Sequence, residues 1–290
     1  MLKRLLALAM LLAFLPLCAA AEGRVINLVA NPNAEWAFAE DAALLEVVFP
    51  PVKGADACIL RMGDEVMLVD AATPGQRARV HAALAEMGIT HIDTGFNTHP
   101  HDDHVGGFQR LMEAATLGKF IITFPEDAND HMKNTIKVMK EHNIPVETAK
   151  DGDVLTLGDA TLTVIIREQK WFTENNRSAM LMVQYGECKL LLAADVELDA
   201  QNMLLQTTPE ILDADILKYP HHGVAIAGWN FLKHVSAEAA VVTNSQYSTK
   251  NVRKDAKKRK LPLVFTADGL VRLRTDGQIW VIDQWKLDVE

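Results

Sequence analysis

The sequence predicts an α/β fold of two sheets, each covered on its outer side by helices. Three observations carry that prediction. Apolar β-type runs come in pairs that turn at glycine-polar steps, and helical stretches separate the pairs. In addition, 49% hydrophobic and 23% charged residues over 290 positions suit one packed core. No solenoid-length repeat or low-complexity linker divides the chain, and its two halves are built alike, so one domain is expected.

The elements follow in order. "RVINLV" and "LLEVVF" read as strands, and "ACILRMGDEVMLVD" as a hairpin turning at Gly63-Asp64 with Asp70 ending its second strand. "PGQRARVHAALAEMG" is a helix, with Pro74 near its start and Gly88 at its end. "HIDTGFNT" is a strand, "GGFQRLMEAA" a helix, "KFIITF" a strand and "HMKNTIKVMKEH" a helix. "DVLTLGDATLTVIIRE" and "SAMLMVQYGECKLLLAAD" are strand pairs turning at Gly158-Asp159 and Gly186. A helix near "ELDAQNMLLQ", the strands "DILKYP" and "AAVVTN", a basic helix, and "LVFTADGLVRLRTDGQIWVID" as a hairpin complete the chain.

The N-terminus reads differently. Lys3-Arg4, the apolar "LLALAMLLAFLPL" and the small residues around Ala19-x-Ala21 have the layout of a secretory signal peptide, residues 1–21, before a domain of residues 22–290. The apolar run is shorter than the roughly 20 residues that cross a bilayer. No second such span follows, so a secreted or cell-envelope protein is expected. A lipid anchor at Cys18 is disfavoured, because Pro16-Leu17 fits the small-residue pattern of such sites poorly. Cys58 and Cys188 lie in apolar strand-type sequence and are expected to be buried, unpaired thiols.

A formal net charge of −9 argues against an extensive duplex nucleic-acid surface, which would draw on counterion release. The basic run Lys250 to Lys260 reads as a solvated helix face.

Chemistry concentrates in "THPHDDHVGG", where His99, His101 and His104 stand with Asp102 and Asp103 within six residues. Asp70, Asp195 and the pair His221-His222 also sit where strands give way to loops, and strand ends from adjacent sheets can converge on one edge. Imidazole and carboxylate donors suit zinc and other divalent ions. His99 and His101 straddle Pro100 and can aim at one point, Asp103 and His104 at a second, with Asp195 bridging and one of His221 and His222 completing the second site. Asp102 is expected to point away, because neighbours in a turn diverge.

The order Asp70, "HPHDDH", Asp195, "HHG" resembles the metallo-β-lactamase superfamily and its HxHxDH hallmark. "NNRSAMLMVQYGECKLLLAAD", "DILKYPHHG" and "FTADGLVRLRTDGQI" look most like the C-terminal hydrolase domain of the competence channel ComEC and its exported relatives. The resemblance runs from about residue 25 to the C-terminus. It implies a four-layer αββα sandwich with the metals at one edge between the sheets. It implies His99 and His101 on the first metal, Asp103 and His104 on the second, Asp195 between them, and Asp70 holding the motif loop or a ligand histidine from behind. His221 and His222 divide ligation and substrate contact in an order left open. Catalytic duty is expected of Asp103, His221 and His222.

Two departures stand out. The superfamily usually places another histidine before the bridging aspartate, whereas here Asn175, Asn176, Arg177 and Ser178 occupy that place. The first metal is then short of a nitrogen donor, which an amide oxygen, water or substrate phosphate would have to replace. Manganese therefore stands beside zinc as the expected ion, at one or two positions. On this reading Asn176→His should tighten zinc binding, and Arg177 could grip a phosphate. The other departure is Val224 after "HHG", where relatives carry a serine that can bind a substrate oxygen. Lys218 could compensate, although a surface lysine is the plainer expectation. Trp171-Phe172 and Trp229 lie near the site loops, with packing roles expected ahead of a pocket role.

The expected activity is hydrolysis by a metal-bound hydroxide, with a phosphodiester or another small molecule as substrate. The alternatives are a carbon-ester, lactone or thioester hydrolase on the same site, or a metal-binding module without turnover. β-Lactamase activity ranks below these because the third histidine is missing. The oligomeric state is left open.

Overall fold

A computed structural model describes residues 23–289; the expected signal peptide and its cleavage site lie outside the described residues. Sixteen strands are described: β1 (Val25–Asn27), β2 (Leu45–Phe49), β3 (Ala57–Met62), β4 (Glu65–Ala71), β5 (His91–Phe96), β6 (Thr116–Ile122), β7 (Val146–Thr148) and β8 (Val154–Leu157). They continue as β9 (Ala160–Ile165), β10 (Met180–Tyr185), β11 (Cys188–Leu192), β12 (Ile216–Lys218), β13 (Ala239–Val242), β14 (Leu263–Phe265), β15 (Leu270–Thr275) and β16 (Trp280–Trp285). The α-helices are α1 (Arg77–Glu86), α2 (Asp102–Val105), α3 (Asp130–Glu141), α4 (Leu198–Thr207), α5 (Trp229–Val235) and α6 (Lys250–Arg259).

The strands form two mixed sheets, ordered β1-β16-β15-β2-β3-β4-β5-β6-β7 and β14-β13-β12-β11-β10-β9-β8. Period-two alternation explains the layering. Leu190 and Leu192 of β11, with Ile216 and Val241, face Leu60 and Val69 of the other sheet in a core between the sheets. Leu191, Leu217 and Ala240 face outward onto α4, α5 and α6 through Leu204, Phe231 and Val252. On the opposite outer side, Ile59 and Leu68 meet Val80 of α1 and Ile136 of α3. Strands buried on both faces read as continuous apolar runs, which is why they were legible. The four-layer αββα sandwich is thus present.

The last run differs from a single hairpin. β15 and β16 pair antiparallel in the first sheet, but β14 pairs parallel with β13 in the second, so the chain changes sheets at Thr266–Asp268. The helical stretch after the histidine motif is a 3₁₀ helix, Gly106–Glu113. A Cβ on Gly107 would sit 1.8 Å from the Ala71 carbonyl oxygen, and its N–H donates to Ala72 O at 2.8 Å. The glycine pair thus lets the motif pack directly against the end of β4.

Cys58 and Cys188 are buried and unpaired, as expected. The basic helix α6 buries only Val252 and Ala256 and leaves its lysines at the surface. Among the described residues no helix is long and apolar enough to cross a membrane.

Candidate metal centre

Loops at the carboxyl ends of β4 and β5 in one sheet meet loops at the carboxyl ends of β11, β12 and β13 in the other. Backbone strain collects there. Asp70, Ala72, Ala194, His221 and His222 all have φ between 43° and 60° without being glycine, a conformation that persists only where surrounding contacts enforce it.

Asp70 is fully engaged. One oxygen accepts from the Asn97 amide (3.0 Å) and the Thr98 N–H (2.9 Å); the other accepts from the Thr98 hydroxyl and His104 Nδ1, both at 2.7 Å. It therefore braces both the motif loop and a histidine. Asp56, which precedes β3 and which no sequence pattern singled out, does the same for His222, whose Nδ1 lies 2.9 Å from its carboxylate. The Thr243 hydroxyl and the Lys218 ammonium complete the Asp56 shell.

With Nδ1 of each ring directed at a carboxylate, the neutral forms of His104 and His222 would place their lone pairs on Nε2. The two Nε2 atoms lie 3.3 Å apart, and 3.2 and 3.3 Å from Asp195 Oδ2. Asp103 Oδ2 is 3.2 Å from His222 Nε2. His99 Nε2 lies 3.1 Å from His101 Nδ1 and 3.9 Å from Asp195 Oδ2. His221 stands at the rim, its Nε2 3.6 Å from Asp195 Oδ2 and its Nδ1 3.4 Å from Glu197. The second ring nitrogen of His101 faces Glu174 at 3.0 Å.

So many buried acceptors facing one another require positive charge between them. Burial opposes protonation of His104, yet the carboxylates of Asp195 and Asp70 raise it to about 10. His222 is likewise lifted well above the usual range, against burial, by Asp195 and Asp56. Burial pushes Asp195 upward, but His222 and His104 hold it well below the carboxylate range. A cluster that recruits protons this strongly fits divalent cations equally well, and Asp195 Oδ1 is buried without a hydrogen-bond partner. Ligand atoms of Asp56, His104, Asp195 and His222 all lie within 4.8 Å of one another. Of these, Asp56 is the least available, because its oxygens already serve Lys218, His222 and Thr243.

The structure thus gathers His99, His101, Asp103, His104, Asp195, His221 and His222, and places Asp70 behind His104. Asp102 points away and pairs with His131 at 3.1 Å. Three expectations need correction. Lys218 is no surface lysine: it is 2% exposed, paired with Asp56, and donates to Ala194 O at 2.9 Å. Arg177 is not presented to a phosphate; its guanidinium lies over the Phe124 ring and 3.7 Å from Glu168. Asn176 is not a free donor, since its Oδ1 accepts from the Glu197 and Ala200 N–H groups, both at 3.1 Å, at the start of α4. Asn175 is the different one: its amide nitrogen faces Glu197 at 3.3 Å, and its buried oxygen has no partner. Of the aromatic residues, Phe172 is buried, whereas Trp171 and Trp229 are exposed.

Asp56, Glu174, Glu197 and Thr243 were missed. Asp56 had the one readable signal, a lone acid at the threshold of an apolar strand.

A family model described as the metallo-beta-lactamase superfamily matches residues 52–237. Over 197 residues the chain is 26% identical to ComE operon protein 3 of Bacillus subtilis (strain 168), covering 67% of this chain and 24% of that protein. It is 33% identical over 101 residues to hydroxyacylglutathione hydrolase of Prochlorococcus marinus (strain NATL1A), 34% of each chain. The chain therefore spans only about a quarter to a third of the curated relatives it matches. Among solved structures, the metallo-beta-lactamase fold protein YhfI from Bacillus subtilis superposes with a TM-score of 0.53 at 16% identity, covering 76% of this chain and 96% of that one.

Proposed function

The chain belongs to the metallo-β-lactamase superfamily, and on that footing we propose that it is a hydrolase of phosphodiester bonds acting with one or two divalent ions, zinc or manganese. The observation that carries this reading is the convergence of imidazole nitrogens on Asp195, with the far nitrogens of His104 and His222 already engaged by carboxylates.

In this reading His99 and His101 would hold a first ion and Asp103, His104 and His222 a second, with Asp195 available to both. Asn175 Oδ1, buried without a partner while its amide nitrogen faces Glu197, would supply the donor that replaces the missing histidine. Such a mixed nitrogen and oxygen set admits manganese as well as zinc. Bound ions supply Lewis acidity, polarising a phosphoryl oxygen and acidifying a water. The chain's own residues do the rest. Asp70 and Asp56 fix the tautomers of His104 and His222, and Glu174 does so for His101. His221, braced by Glu197 and kept toward its neutral form by burial, stands at the rim, where it can contact substrate. A phosphodiester suits this arrangement because its two non-bridging oxygens can answer both halves of the donor set, whereas a carbonyl offers one.

The test is turnover of bis-p-nitrophenyl phosphate against p-nitrophenyl acetate and a hydroxyacyl thioester, before and after chelation. Chelator-sensitive phosphodiester turnover is expected. Faster thioester turnover would favour the second reading, which the local identity to hydroxyacylglutathione hydrolase supports. Bound metal with no turnover would make the site a binding module. We further propose export, supported by the composition of residues 1–21; N-terminal sequencing of the envelope or medium fraction should begin at Glu22.

A further inference from the structure

We propose that the substrate carries an apolar arm, an alkyl or aryl ester group, seated in the cavity beside His221 and not continued by further phosphates. This rests on the phosphodiester reading above. The cavity encloses ≈ 300 Å³, and Val196, Leu198, Pro220 and Ile226 form its apolar wall. It is continuous with the reacting centre, because His221 lines it while its Nε2 lies 3.6 Å from Asp195.

The apolar character extends to the rim. Nine large hydrophobic side chains are exposed among the described residues, and four of them fall in two short segments that border the cavity: Leu198 and Ile226 line it, while Val224 and Trp229 lie within three residues of Ile226, Trp229 under the Arg259 guanidinium. Those segments are fastened together: the Gly228 N–H donates to Gln201 of α4 at 2.7 Å. Exposed apolar residues scattered singly need no explanation, but a set gathered at a site marks what the site binds. Val224 belongs to this set, so the residue that removes a hydroxyl from the loop after His221-His222 adds apolar surface in its place.

Charge points the same way. Glu197 and Asp199 line the cavity, and no lysine or arginine does. Cations near these segments are committed elsewhere, Lys218 to Asp56, Arg177 to Glu168 and Phe124, and Arg259 to Asp255 and the Trp229 ring. A polynucleotide threaded through this mouth would set a second phosphate against two carboxylates. An uncharged hydrocarbon arm meets no such penalty.

Binding of methyl-, butyl- and hexylphosphonate to the metal-loaded protein tests the proposal, read by titration calorimetry so that turnover is not needed. A fully buried methylene is worth roughly four-fold in affinity. With one side of the cavity open, about half that free energy per methylene predicts an approximately eight-fold gain from methyl to butyl. Ile226→Ser should remove most of the gain, whereas Val154→Ser, a change at an exposed valine on β8, should preserve it. A flat series in the wild type, or a short oligothymidylate bound more tightly than butylphosphonate, overturns the proposal. Failure of bis-p-nitrophenyl phosphate turnover would instead remove the phosphodiester reading, so the two failures are distinguishable.

Discussion

Lys218→Met should destabilise the fold far more than an average lysine substitution. The ammonium is 2% exposed, paired with Asp56 and 3.8 Å from Asp195 Oδ1. Removing one partner of a buried ion pair costs about 3–5 kcal/mol, because the other charge stays behind. Asp56 keeps His222 Nδ1 at 2.9 Å and the Thr243 hydroxyl at 2.5 Å, and Ala194 O keeps the His221 N–H at 2.9 Å. The lower end, about 3 kcal/mol, is therefore expected. For a domain of this size each kcal/mol moves Tm by about 2–4 °C, so the apo-protein should melt about 9 °C lower by calorimetry. Lys218→Met combined with Asp56→Asn removes both charges while keeping an acceptor for His222, and should recover at least half of that loss. A single-variant shift below about 2 °C, or a double variant as unstable as the sum of its parts, would refute the reasoning.

The other predictions concern the donors and the thiols. Asp195→Ala and His101→Ala should abolish hydrolysis and lower metal content by elemental analysis, while Lys257→Ala leaves both unchanged; full turnover in His101→Ala would contradict the assignment. Asn175→His should tighten zinc binding by titration calorimetry, whereas Asn176→His should lose about 1–2 kcal/mol in urea unfolding, since it strips the start of α4 of its acceptor. Burial raises the Cys188 thiol to about 11, with the Thr275 contact opposing. Its folded value thus exceeds its unfolded one, so its contribution to stability is complete below about pH 8.5 and fades as pH rises toward 11. Iodoacetamide at pH 8 should leave Cys188 unmodified in the native protein and label it after unfolding, as read by peptide mapping.

What was legible in the sequence divides along a physical line. Apolar runs and their turns report on burial, a one-body property, so the two-sheet core and the helices could be read directly. The histidine motif was legible because five donors lie within six residues, where local geometry alone brings all but Asp102 to one site. Residues whose roles depend on a distant partner were not legible. Lys218 and Asp56 stand 162 positions apart; each alone looks like a surface charge, and only the pair makes burial affordable. Arg177 and Asn176 failed in the opposite sense: their chemistry suited a phosphate and a metal, but the fold had already committed them to Phe124, Glu168 and the start of α4. Proximity in sequence to a metal motif is therefore weak evidence of ligation, whereas an unsatisfied buried atom is stronger evidence, because its desolvation needs a compensating partner. By that criterion Asn175 Oδ1 is a better candidate than Asn176, on which the sequence reading set its test, and Asp195 Oδ1, likewise buried without a hydrogen-bond partner, keeps the ligand role the sequence assigned it.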